Sequence, residues 1–247
     1  MRHALQYLRS LFFIIQMYVF LAVWATVLFP FGLIGGRNVT LWIMRNYCHY
    51  VCWSARWIVG LKCEVRGEIP TDEVLIAAKH QSFLDIIMIF GALPRGKYIM
   101  KKELKYVPFI GWYAFLSGCV PVDRGKKGAA IKKMVRDVYA SRHKGGQLII
   151  FSQGTRVAPG VKMPYKVGSG VLYAELKQDC VPVAVNVGLF WPKSAIMRQP
   201  GTAVIEFLPR IPAGLDIRTF LERLEAEVEP ASDALMAEAG FVVPGAA

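Results

Sequence analysis

Apolar positions are concentrated at the start of the chain. Ser10–Gly36 is a run of 27 residues without a charge, interrupted only near its end by Pro30, Gly32, Gly35 and Gly36. Ser10–Phe29 alone, at ~1.5 Å per helical residue, matches the ~30 Å hydrocarbon layer of a bilayer. It is longer than the apolar region of a signal peptide, and no small-x-small cleavage site follows it. The next stretch, Asn38–Gly60, is apolar and aromatic. Its Arg45, His49 and Arg56 fall within a ~40° sector at 100° per residue, a narrow polar stripe of the kind carried by a helix lying in a membrane interface. We read residues 1–63 as a two-helix membrane anchor dipping into one leaflet. A true span and a buried helical hairpin of a soluble core are the competing readings.

From Glu64 onward, short apolar runs alternate with amphipathic stretches, the texture of an α/β domain over residues 64–247. The pattern predicts strands at Val74–Ala78, Lys97–Met100, Val120–Val122, Leu148–Phe151, Val181–Asn186 and Thr202–Phe207. It predicts helices at Leu84–Ala92, Val107–Leu116, Lys126–Lys144, Gly168–Glu175 and Leu215–Gly240. The Pro-rich, basic stretch Ala158–Lys166 reads as a loop. A sheet core flanked by helices follows, with the two-helix anchor ahead of it.

Composition sharpens this picture. Of 247 residues, 54% are hydrophobic, and 30 Lys and Arg exceed 18 Asp and Glu, a net charge of +12. An oily, basic chain suits an anionic membrane surface or anionic substrates. No acidic residue precedes Glu64, whereas Arg95–Lys144 carries 13 basic residues against 3 acidic ones. That band suits anionic lipid, an acidic carrier protein or the phosphates of coenzyme A. The five cysteines form no Cys-x-x-Cys pair. Cys48, His49 and Cys52 lie in an apolar stretch that argues against a metal site, so reduced thiols are expected.

Candidate chemistry gathers at strand ends, where α/β sheets place their sites. His80 follows the strand Val74–Ala78 and precedes the helix that holds Asp85. An imidazole can take a proton from a hydroxyl when a carboxylate holds its other nitrogen. On one straight helix these two residues would be ~140° apart. They meet if His80 is still in the loop and Asp85 is in the first turn. Ser82-Phe83-Leu84-Asp85 also matches a capping box, a purely structural reading of the same residues. Ser82 itself is read as a cap rather than a nucleophile.

Three further blocks follow in order: Gly118-Cys119-Val120-Pro121-Val122-Asp123-Arg124, Phe151-Ser152-Gln153-Gly154-Thr155-Arg156 and Val181-Pro182-Val183-Ala184-Val185-Asn186. With His80-x-x-x-x-Asp85 they resemble the 1-acylglycerol-3-phosphate acyltransferase family, from the anchor to about Trp191. The resemblance implies a glycerolipid-acyltransferase-like fold. It also implies transfer of a fatty acyl group from acyl-CoA or acyl carrier protein to the sn-2 hydroxyl of lysophosphatidic acid. His80 would be the general base and Asp85 its orienting acid, with no metal, no cofactor and no acyl-enzyme. Arg124, Gly154, Thr155 and Arg156 would hold the acceptor phosphate, Lys101 would assist, and Pro182 would shape the acyl wall. Gln153 departs from the family's usual Glu in the third block. Gln cannot act as an acid or as a counter-ion to Arg156, so that role does not carry over, and the acceptor head group is left open. The bilayer, lysophosphatidic acid and the acyl donor are the implied partners, on the cytoplasmic face of a bacterial inner membrane. The alternatives are another acceptor (a lyso-ornithine lipid or glycerol 3-phosphate) and a non-catalytic basic membrane-surface binder. No motif supports nucleic-acid binding.

Overall fold

The computed structural model describes residues 2–123, 127–141 and 145–242, leaving the side chain of Lys127 aside. Its centre is a seven-stranded sheet in the order β1-β7-β6-β2-β5-β3-β4. The strands are β1 (Leu61–Gly67), β2 (Leu75–Ala78), β3 (Lys97–Lys101), β4 (Val120–Val122), β5 (Leu148–Phe151), β6 (Cys180–Val185) and β7 (Gly201–Phe207). All neighbours run parallel except β6 and β7. The helices are α1 (Arg2–Val59), α2 (Leu84–Ala92), α3 (Ile110–Ser117), α4 (Lys127–Ala140), α5 (Val167–Leu176) and α6 (Ile217–Glu238).

Parallel strands buried on both faces read as continuous apolar runs, as β2, β5 and β6 do. Alternation along them divides the core into two layers. Ile76, Ala78, Phe151, Val181 and Val183 pack with α1 and α2. Leu75, Ala77, Leu148 and Cys180 pack with residues of α4, α5 and α6. β1 alternates Leu61, Cys63 and Val65 with Lys62, Glu64 and Arg66, and it straddles the compositional break at Glu64.

α1 is not one straight rod. Gly36 adopts a left-handed φ of 67°, and the chain folds back there into two antiparallel arms, residues 2–35 and 37–59. Gln6 donates to the Val59 carbonyl, Tyr47 to that of Met17 and Trp24 to that of Ile43. At the bend, the Thr40 hydroxyl donates to the carbonyls of Gly36 and Gly32. Both ends of the hairpin therefore lie on the same side. One face of it joins the core through Phe13, Met17, Val51, Ala55 and Val59. The other exposes Leu8, Phe12, Ile15, Val19, Val23 and Val27.

Two residues of the polar stripe are hydrogen-bonded to the α/β domain. Arg45 Nε and His49 Nε2 both reach the Gly91 carbonyl, at 3.4 and 3.0 Å. They occupy an orphan carbonyl at the C-terminal end of α2. Arg45 is half-buried by this contact, His49 keeps part of its ring exposed, and Arg56 lies on the surface over the Trp57 ring. Gly91 makes the approach possible, because a Cβ there would lie 3.2 Å from that of Cys48.

Candidate active site

The loop between β2 and α2 holds His80, and Asp85 is the second residue of α2. The loop bends the two together, so that His80 Nδ1 lies 3.0 Å from Asp85 Oδ1. The other carboxylate oxygen accepts the backbone N–H groups of Gln81 and Ser82, both at 2.8 Å. Ser82 Oγ accepts from the Leu84 N–H and donates to the Trp191 carbonyl. Asp85 thus serves both the His–Asp pair and the start of the helix, with one oxygen for each task; Ser82 takes the Leu84 N–H rather than that of Asp85, so only the reach-back half of the capping box is made. Asp85 is fully buried and accepts three hydrogen bonds, as a buried carboxylate must. With Nδ1 donating to Asp85, Nε2 is the ring nitrogen left to accept a proton; this tautomer is assigned from the hydrogen bond.

The imidazole stacks on Phe151, with centroids 3.9 Å apart and 16° between the planes, and Phe151 stacks in turn on Tyr98. The neighbouring loops are tied in by the backbone. The Val157 N–H donates to the His80 carbonyl, and the Gly188 N–H donates to Gln81 Oε1. Behind the sheet, Lys79 is buried and pairs with Glu229 of α6 at 2.6 Å. Glu229 also accepts from the Tyr165 hydroxyl at 2.9 Å. Burial, and then the Glu229 charge, push the Tyr165 phenol well up, which keeps it a donor. The acidic helix α6 therefore braces both the end of β2 and the loop that follows Arg156.

His80 opens onto a cavity of about 500 Å³, within the usual size of a ligand site. Its interior is apolar, walled by Tyr18, Leu21, Ala25 and Ile43 of the hairpin, Phe83, Ile87 and Phe90 of the α2 region, and Tyr113 of α3. Its polar residues include His80, Lys101, Thr155, Arg156 and Lys193. Arg156 has no ion-pair partner among the described residues, so its fork is available to an anion. Lys101 reaches Glu103 at 3.7 Å and is more than half exposed. Gly154 takes a φ of 67°, which suits glycine and turns the chain between Gln153 and Thr155.

Not every expected residue is brought here. Gln153 is fully buried and does not line the cavity. Its amide nitrogen points to the Met163 carbonyl at 3.5 Å, and its Oε1 has no partner among the described residues. Pro182 pairs with Ala77 in the middle of the sheet and is also absent from the cavity wall. Alternation explains this, since Cys180 and Ala184 on the same side of β6 face the α6 layer. Arg124 lies outside the described residues. Sequence reasoning missed Lys193, which stands alone after Trp191-Pro192 without a motif, and the stacking role of Phe151.

A protein-family model described as Acyltransferase matches residues 61–186, just over half of the chain. A 1-acyl-sn-glycerol-3-phosphate acyltransferase of Pseudomonas aeruginosa is 29% identical over 211 residues, 84% of this chain and 82% of that protein. One of Saccharomyces cerevisiae is 33% identical over 186 residues, 72% of this chain and 60% of the yeast protein. The crystal structure of the 1-acyl-sn-glycerophosphate (LPA) acyltransferase PlsC from Thermotoga maritima superposes with a TM-score of 0.79 at 22% identity, over 96% of this chain and 98% of that one. That likeness extends the shared fold through the N-terminal hairpin. All four blocks read from the sequence begin or end within the matched region, and this chain belongs to the acyltransferase family.

Proposed function

We propose that this protein transfers a fatty acyl group from a thioester, acyl-CoA or acyl carrier protein, to the sn-2 hydroxyl of lysophosphatidic acid, giving phosphatidic acid. The observation that carries the reading is the His80–Asp85 pair at the head of an apolar cavity with Arg156 and Thr155 on its polar side. The names of the bacterial and yeast relatives support the same acceptor.

In this mechanism the acceptor phosphate lies against Arg156, Thr155 and Lys193, with Arg124 and Lys101 assisting. Planar guanidinium suits a phosphate monoester by paired hydrogen bonds. His80 Nε2 removes the proton of the hydroxyl as its oxygen attacks the thioester carbonyl. Asp85 holds the ring and stabilises the imidazolium. The tetrahedral intermediate collapses, the C–S bond breaks, and the thiolate takes the proton back from His80. The oxygen of the acceptor ends in the new ester, no acyl-enzyme forms, and no metal or cofactor enters. Positioned base catalysis contributes roughly 10²–10⁴-fold, and holding the two reactants together contributes more.

The apolar cavity suits an acyl chain, and the exposed face of the hairpin suits lipid. Because the hairpin folds back at Gly36 with both ends on one side, insertion into one leaflet is the reading it favours over a span. The cysteines are all free among the described residues, which fits the reducing cytoplasmic face of a bacterial inner membrane. The test is acyl transfer from a radiolabelled thioester to lysophosphatidic acid, lyso-ornithine lipid and glycerol 3-phosphate by purified protein. Product from lysophosphatidic acid supports the reading, and preference for another acceptor replaces it.

A further inference from the structure

We propose that the segment from Lys101 to Phe115, one lip of the cavity, is a second bilayer-contact element that docks on the anionic headgroup layer beside the hairpin. This rests on the membrane reading above and adds a surface to it. The segment comprises a 3₁₀ turn over Lys102–Tyr106, a tight bend, and α3. It exposes large side chains where a water-facing surface would bury them: Phe115 is 77% exposed, Tyr106 72%, Trp112 43% and Val107 38%. Such a patch on a soluble face would be an association site.

Its position identifies the occupant. The Trp112 ring lies 5.0 Å from that of Phe29, and Tyr113 donates to the Ala25 carbonyl at 3.0 Å. A Cβ on Gly32 would come within 3.8 Å of the Leu116 side chain. The lip therefore abuts the bend of the hairpin, whose Phe31, Leu33 and Ile34 are also exposed. Lys102 and Lys105 flank the aromatic residues, and Lys105 Nζ lies 4.6 Å above the Tyr106 ring. Lys102 is paired with Asp123 at 3.3 Å, whereas Lys105 has no ion pair among the described residues. Aromatic rings with adjacent lysines are the composition of a membrane–water interface.

The local backbone is built to present this lip. Gly111 lets α3 close on the preceding turn, since a Cβ there would stand 2.2 Å from the Lys105 carbonyl oxygen. Phe109 takes a positive φ of 64°, rare for a bulky residue. Its ring lines the cavity while the neighbouring Phe115 faces outward. One segment thus forms cavity wall on its inner side and a basic aromatic surface on its outer side. A bilayer on that surface would set the cavity mouth at headgroup depth, where a lysolipid presents its hydroxyl.

The test uses the full chain bound to vesicles of phosphatidylcholine with one-third phosphatidylglycerol, carrying brominated acyl chains as contact quenchers. The Trp112 signal is the difference between the wild type and Trp112→Phe. The proposal expects that signal to be strongly quenched. It also expects Tyr106→Ser with Phe115→Ser to raise KM for vesicle-borne lysophosphatidic acid about tenfold or more, with kcat unchanged on a water-soluble short-chain acceptor. Quenching of the other tryptophans without Trp112, or an unchanged vesicle KM, overturns this inference and leaves the hairpin reading standing. A dimer in solution abolished by Phe115→Ser, with Trp112 unquenched, overturns it in favour of a second copy. Failure of the wild type to bind vesicles overturns both readings.

Discussion

Asp85 divides its two oxygens between function and architecture: Oδ1 lies 3.0 Å from His80 Nδ1, and Oδ2 accepts the N–H groups of Gln81 and Ser82 at 2.8 Å each. Asp85→Asn keeps the shape and one acceptor but replaces an acceptor with a donor. It is expected to lower kcat at least ~100-fold by losing ring orientation and charge support, and to cost about 1–3 kcal/mol of stability through the mismatched amide. Steady-state kinetics and thermal unfolding on the same preparation check this. A variant that loses stability while keeping its rate would assign Asp85 to capping alone.

Arg156 and Lys193 reach the cavity from different loops and both suit a phosphate. Arg156→Lys retains charge but loses the paired donors. It should raise KM for lysophosphatidic acid about tenfold. Lys193→Met should raise KM by a smaller factor and leave KM for the thioester unchanged. Initial rates with each substrate varied in turn separate the two effects.

Ala25 lines the cavity from the first arm of the hairpin, near Ile43 and Tyr113. Ala25→Phe fills space on the wall supplied by the hairpin. It is expected to shift chain-length preference toward shorter acyl groups, read as the ratio of kcat/KM for long and short acyl thioesters. An unchanged ratio would place the acyl chain elsewhere.

Glu229 is the partner of buried Lys79. Glu229→Gln leaves a charge buried without its counter-ion, which costs about 3–5 kcal/mol. Adding Lys79→Met to that variant should recover much of the loss, because both charges are then gone. Thermal midpoints of the two single variants and the double variant check the coupling.

The elements that were legible are those whose pattern is local. α2, β4 and β5 occupy the ranges expected from apolar runs bounded by loop residues, and the His80–Asp85 contact follows from a loop residue preceding a first-turn acid. β1 was not legible although Lys62, Glu64 and Arg66 alternate with apolar neighbours, because it is a half-exposed edge strand whose partner β7 lies far along the chain. Two helices were legible in residues 1–63, but not that Arg45 and His49 would serve the Gly91 carbonyl, which depends on where the hairpin docks. Strand parity turns Pro182 away from the cavity, and its side is set by tertiary packing rather than by its motif. Gln153 replaces an acid but faces a backbone carbonyl, so the substitution bears on the loop more directly than on the acceptor. Lys193 reaches the site only through the course of its loop.

The central claim is that His80 is the base. Its most direct test is acyl transfer from a radiolabelled thioester to lysophosphatidic acid by the wild type and by His80→Ala, with circular dichroism and thermal unfolding of both. The account predicts phosphatidic acid from the wild type and a rate lower by roughly 10²–10⁴-fold from the variant, with the fold retained. A folded variant that turns over at a near-normal rate would contradict it.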